Sequence, residues 1–271
     1  MILPHTLIHG IEMYYEVHGT GQPLLLIAGL ASDSQSWKPV LGDLRKNYTV
    51  IIFDNRGCGR TRPMDCASTI ADMADDSLSL LTHLGIQTAH LLGHSMGGFI
   101  AMECAIRHPE RVKSLILAAT SSCNSQRNND LLKKWSIDRC NGMALEQWFM
   151  NLFPWLFTDR FLQDQTAMNS AMQFAVHYPY QQSAEAFSRQ AQAITAFNRT
   201  SDLAKIAVPV LVMAGQYDRL FAEQVGRELA APMANAEFKM IKNAAHSIHV
   251  EQPQIFVRAV DAFLKDKGNF K

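Results

Sequence analysis

The chain has 271 residues, with 25 Lys plus Arg against 25 Asp plus Glu and a formal net charge of +0 at pH 7. That length holds one large α/β domain with room for an inserted subdomain, and the balanced charge offers neither a basic footprint for nucleic acid nor a polybasic membrane signal. No apolar stretch reaches the ~18 residues of a membrane-spanning helix, the opening MILPHTLIHG lacks the regions of a secretory signal, and the five cysteines include no C-x-x-C pair, so a cytoplasmic protein with free thiols is expected.

Residues 10–18 alternate in polarity and set Ile11, Met13, Tyr15 and Val17 on one face, which predicts an antiparallel or edge strand. Residues 23–29 are apolar throughout, as a strand buried on both faces requires. A second such strand, 49–54, ends at Asp54-Asn-Arg56-Gly57-Cys-Gly59. Apolar residues at helical spacing run from Ile70 to Leu84 and stop at Gly85. Leu91 and Leu92 lead into Gly93-His-Ser95-Met-Gly97-Gly98, and helix-forming residues continue to His108 before Pro109. Strands over 112–119, 208–214 and 236–241 follow, then a helix over 253–265. Repeated βα units imply a mostly parallel sheet with helices on both faces.

Between about 121 and 205 this rhythm breaks, and the segment reads as several helices rich in aromatics and methionine. It is too long for a structureless loop. A helical cap is expected here, inserted before the penultimate strand and dividing a core domain into 1–120 and 206–271. A small helical subdomain needs a core of its own. A cap over a site also lines a pocket, and Trp148, Phe153 and Phe157 are the candidates to face substrate. Few charges accompany them, which favours an apolar acyl, aromatic or alicyclic ligand over a sugar or phosphate.

Ser95 is the candidate nucleophile. A serine hydroxyl is unreactive at neutral pH unless the backbone holds it exposed, beside a base and close to oxyanion donors. A sharp strand-to-helix turn does this, and glycines two residues either side give it room. Asp218 follows the strand ending at Ala214, on the side of an open α/β sheet where sites form. His246 follows the last strand; its imidazole takes and returns a proton near neutrality, while a carboxylate holds one tautomer. His249 competes for the role of base, and Asp202 and Glu223 are less well placed as acids. His94 points away on a sharp turn and is expected to pack or hydrogen-bond, and His108 is expected at a helix end. The backbone N–H groups of Met96 and Leu30 are the candidate oxyanion donors.

Together these motifs resemble the α/β-hydrolase superfamily, in the branch of capped esterases, enol-lactonases, C–C bond hydrolases and cofactor-free haloperoxidases. Gly-His-Ser95-Met-Gly-Gly is similar to that branch's nucleophile elbow. Asp54-x-Arg56-Gly57-x-Gly59-x-Thr61 is similar to its D-x-R-G-x-G-x-S loop, with Thr for the last Ser, and Asp54 and Arg56 are expected to brace loops near the site. His246, Glu251 and Pro253 fit its H-x-x-x-x-E-x-P ending. Ala28-Gly29 stands where the branch usually has His-Gly, and Asn243-Ala-Ala-His246 where Gly-Ala-Gly-His is common. The resemblance implies an acyl-enzyme hydrolase needing no cofactor or metal, acting on a small-molecule ester. Hydrolysis of a C–C bond or an enol-lactone, demethylation of a carrier-bound acyl ester, and ligand binding without turnover stay open. Basic residues Lys133, Lys134, Arg139 and Arg189 would dock an acidic carrier or simply form a solvated face. Oligomeric state is not legible.

Overall fold

The computed structural model describes residues 4–267. Its strands are β1 (His5–Ile8), β2 (Ile11–His18), β3 (Gln22–Ile27), β4 (Tyr48–Phe53), β5 (Ala89–His94), β6 (Val112–Ala118), β7 (Val210–Gly215) and β8 (Ala236–Ile241). They form one sheet in the order β1-β2-β4-β3-β5-β6-β7-β8. β2 is antiparallel to both of its neighbours, and every pair from β4 to β8 is parallel. This is the mostly parallel, helix-flanked sheet that the sequence predicts.

β2 is antiparallel, one of the two outcomes its alternation predicts, and the four-residue β1, too short to show a periodicity, makes it an inner strand rather than an edge. Val17 is 39% exposed although Ile11, Met13 and Tyr15 on the same face are buried.

The sheet is buried on both faces because alternate side chains of each central strand serve opposite cores. Leu25, Ile27, Leu91 and Leu117 join one core, with α2 (Ile70–His83) and α3 (Met96–Arg107) over them. Leu24, Leu26, Leu92 and Met213 join the other, under α1 (Lys38–Leu44) and the C-terminal helix Pro253–Lys267. The start of α2 is fixed by a capping box between Thr69 and Asp72. α1 opens directly after Trp37, is short and carries Gly42.

Between β6 and β7 lie five helices: α4 (Gln126–Cys140), α5 (Leu145–Leu156), α6 (Asp159–Gln163), α7 (Gln165–His177) and α8 (Ala184–Ala196). Their aromatics divide between two roles. Trp135, Trp148 and Phe187 join the larger core, while Phe153, Phe157 and Met172 form a satellite cluster. The two ends of the segment are pinned together, Arg199 N–H donating to the Ser122 carbonyl at 2.9 Å, and Arg199 grips buried Glu103 of α3 with two hydrogen bonds of 2.7 and 2.8 Å. The remaining helices are α9 (Glu223–Ala230), α10 (Ile248–Glu251) and α11 (Pro253–Lys267). No helix among the described residues is long and apolar enough to cross a membrane.

Candidate active site

β5 ends at His94 and α3 begins at Met96, so the chain must reverse within one residue. Ser95 absorbs the turn at φ 54° and ψ −118°. Such a conformation costs about 1–3 kcal/mol for a non-glycine residue and is held by neighbours on three sides. Ser95 N–H donates to the Ala118 carbonyl at 2.9 Å, and the Ser95 carbonyl accepts from Gly98 N–H and Thr120 Oγ1, each at 2.8 Å. A side chain on Gly97 would collide with the Ile27 carbonyl, so the elbow closes only with glycine there. The Ser95 side chain does not cap α3 and instead lines a cavity. Met96 is the first residue of α3, so its N–H has no partner within the helix.

Leu30 approaches from the loop after β3. A Cβ on Gly29 would lie 3.2 Å from Ser95 Cβ, so glycine lets this loop close against the elbow. The left-handed residue of the turn is Ala31, φ 56°, so Gly29 serves the close approach rather than the turn itself. Leu30 and Met96 both line the cavity.

His246 Nδ1 lies 2.9 Å from Asp218 Oδ2. The other Asp218 oxygen accepts from the N–H groups of Leu220 and Phe221 at 2.8 and 2.9 Å, which fixes the carboxylate plane. A carboxylate only accepts, so Nδ1 carries the proton and Nε2 keeps its lone pair. Both residues are buried, and His246 lines the same cavity as Ser95. Asp202 is tied to Lys205 and Glu223 to Arg227, each through an ion pair outside the cavity wall.

The competing histidines His94 and His249 line the same cavity as His246. His94 Nε2 lies 2.9 Å from the His246 carbonyl oxygen, so that nitrogen is the donor. His249 packs 4.6 Å from the His94 ring and 4.8 Å from Trp37. Burial pulls the pKa of His94 well down and that of His249 to about 3, and the neighbouring imidazoles add to both shifts. His246 can therefore gain a proton without facing a second cation. His108 caps the end of α3.

Beneath the site, Asp54 is fully buried and accepts from Ser34 N–H at 3.0 Å and from the Arg60 backbone and guanidinium, each at 2.8 Å. Arg56 grips Asp76 with bonds of 2.6 and 2.8 Å. Thr61 Oγ1 donates to the Asp54 carbonyl at 2.6 Å, a bond a serine would also make.

Three contacts join the segment between β6 and β7 to the site loops, the first through the Glu251 of the H-x-x-x-x-E-x-P ending. Glu251 accepts from Ala245 N–H at 2.7 Å with one oxygen, and from Thr158 N–H and Oγ1 at 3.0 and 2.6 Å with the other. Asn128 donates to the Leu220 carbonyl at 2.9 Å, beside Asp218. Tyr178 donates its hydroxyl to Asp33, whose carboxyl is pushed up in pKa by burial and by the Asp54 charge.

The cavity has a volume of about 570 Å³. Trp148, Phe153 and Phe157 all line it, as do Phe149, Leu152 and Leu156 of α5. Among the described residues no group of three or more His, Cys, Asp or Glu is arranged to hold a metal ion.

A sequence model of the alpha/beta hydrolase fold matches residues 22–253. The chain belongs to the α/β-hydrolase family. RutD of Azorhizobium caulinodans, a protein named for carbamate hydrolysis, is 30% identical over 250 residues, covering 90% of this chain and 92% of that one. The enol-lactonase of Burkholderia xenovorans LB400 superposes with a TM-score of 0.88 at 25% identity, over 97% of this chain and 100% of that one. A thermophilic esterase of Thermogutta terrifontis gives a TM-score of 0.86, also at 25% identity, over 97% of each chain. Hydrolysis is what the names of these α/β-hydrolase relatives have in common.

Proposed function

We propose that this α/β-hydrolase cleaves carboxylic esters of apolar acyl or aryl groups through an acyl-enzyme on Ser95. The observation that carries the reading is the shared cavity: a strained serine, a histidine oriented by a buried carboxylate, and two candidate N–H donors line one space. His246 Nε2 takes the Ser95 proton as Oγ attacks the carbonyl carbon. The oxyanion forms against the N–H groups of Leu30 and Met96. His246 then returns the proton to the leaving alkoxide, and the C–O bond breaks. Water, deprotonated by the same imidazole, attacks the acyl-enzyme and releases the acid. Asp218 holds the tautomer and stabilises the imidazolium formed in each half-reaction. A lactone follows the same steps with its leaving group still attached.

In this reading α4–α8 form a cap over Ser95, and the rings of α5 select the acyl group. Apolar lining favours each added methylene by about 0.8 kcal/mol, roughly fourfold, until the space is full.

A second reading is hydrolysis of a carbamate, favoured by the 30% identity to RutD over most of both chains. The same triad would act on it, with nitrogen in place of the α-carbon. The aromatic lining and the 570 Å³ volume favour a larger apolar acyl group.

A panel of p-nitrophenyl esters of rising acyl length, with aryl carbamates beside them, tests this reading. Ester turnover that climbs and then falls with length, and is lost in Ser95→Ala, is expected. Carbamate turnover without ester turnover would transfer the assignment to the second reading. Binding without turnover of either would make the protein a ligand-binding member of the fold.

A further inference from the structure

Arg139 occupies an unusual position for a guanidinium. It lies in the last turn of α4 and lines the cavity that holds Ser95. Lys38, the other Lys or Arg of the cavity wall, is exposed at its position before Pro39. Arg139 is half-buried, and burial lowers its pKa from the ordinary guanidinium value without bringing it near neutrality. The charges acting on it, Cys140 and Glu185, do so through space, and it forms no ion pair among the described residues.

What holds Arg139 does not neutralise it. One Nη2–H donates to the Gln182 carbonyl at 2.6 Å, and the guanidinium carbon lies 5.1 Å from the centre of the Trp148 ring. Its place at a helix C-terminus also suits a cation. A guanidinium has five donors in a planar fork, and Arg139 commits one of them to Gln182. A half-buried cation on the wall of a mainly aromatic cavity, with donors to spare, suits an anion with two oxygens in one plane. The acid on the same wall, Asp33, is pushed toward its neutral form and is occupied by Tyr178 and Gln35, so it offers little repulsion.

We propose that Arg139 receives a carboxylate carried by the substrate at the end remote from the scissile carbonyl. The substrate class is then a half-ester or lactone of a dicarboxylic acid, its apolar spacer lying along the rings of α5. This deepens the hydrolase reading above and rests on it for the reaction, although anion binding at Arg139 does not require turnover.

The test compares methyl adipate, which has a free distal carboxylate, with the same ester bearing a distal carboxamide, and measures adipate binding by calorimetry. Wild type is expected to prefer the carboxylate ester by about tenfold or more in kcat/KM, the range a charge-assisted pair supplies. Arg139→Gln should collapse that ratio toward one and weaken adipate binding at least tenfold. Lys133→Gln, which removes an exposed charge from the same helix, should change neither. The wild-type comparison stands even if Arg139→Gln does not fold. Equal use of the two esters by wild type, or a preference that survives Arg139→Gln, would overturn the proposal while leaving the hydrolase reading intact. Arg139-dependent adipate binding with no hydrolysis of either ester would uphold the anion site and remove the hydrolase reading.

Discussion

At Ser95 the backbone holds a conformation that alanine tolerates no better than serine, so Ser95→Ala leaves the strain unchanged and removes only Oγ. The variant is expected to fold like wild type and to lose ester turnover by several orders of magnitude, because the three residues act as a unit. Asp218→Asn keeps the shape and offers an N–H to His246 Nδ1, selecting the wrong tautomer; in the serine-protease example of this effect the loss is about 10⁴-fold. His246→Ala should abolish turnover, whereas His249→Phe should retain it, since His249 is packed between Trp37, His94 and Phe256. Steady-state kinetics on the best ester separates these cases, and a dead His249→Phe with a live His246→Ala would reverse the assignment of the base. Ser95, Asp218 and His246 were legible because each sits where a strand ends, and strand ends are visible as apolar runs. The bond from His94 to the His246 carbonyl was not, because it joins residues 152 apart in the chain.

The elements of the parallel sheet were legible for the same reason that it is stable: strands buried on both faces leave unbroken apolar runs. β1 escaped because four residues give too few positions for a period to emerge. The helices between β6 and β7 announced themselves by composition, but not which rings would line the cavity as well as pack in the clusters. That follows from their docking, and docking depends on side chains such as Glu251, which ties Thr158 at the start of α6 to Ala245 beside His246. Glu251→Gln keeps the volume but replaces one acceptor oxygen with a donor, facing either Ala245 N–H or Thr158. It is expected to lower kcat about tenfold or more with a smaller effect on the melting temperature, as a displaced catalytic loop does. Unchanged kcat with a large drop in melting temperature would show that Glu251 serves stability alone. Phe157→Ala, which enlarges the cavity just past the end of α5, should shift the preferred acyl length upward; an unmoved profile would remove Phe157 from substrate selection.

At the scale of the whole molecule, three buried histidines are held neutral and make stability depend on pH. His90, between Gln22 and Ser114, has its pKa lowered to about 4 by burial and by the Lys113 charge, and His249 is lowered to about 3 and His94 well below its ordinary value, chiefly by burial. In the unfolded chain each titrates near about 6.5. A depressed folded pKa means that the unfolded state binds protons first as pH falls. The stability these groups lend is therefore complete above about pH 6.5 and is lost progressively toward the folded values, by up to about 1.4 kcal/mol per pH unit for each histidine. The urea midpoint should fall between pH 7 and pH 5, and His249→Phe should flatten that fall. A midpoint constant over this range would contradict the burial of neutral histidines. The sequence showed ten histidines and their neighbours, but not which of them the two cores and the site would enclose.

The central claim, a covalent intermediate on Ser95, is tested most directly by intact-mass and peptide-mapping mass spectrometry after reaction with a fluorophosphonate. A single adduct on the peptide carrying Ser95, absent from Ser95→Ala and strongly slowed in His246→Ala, is the result expected. An adduct on another residue, or equal labelling of Ser95→Ala, would contradict it.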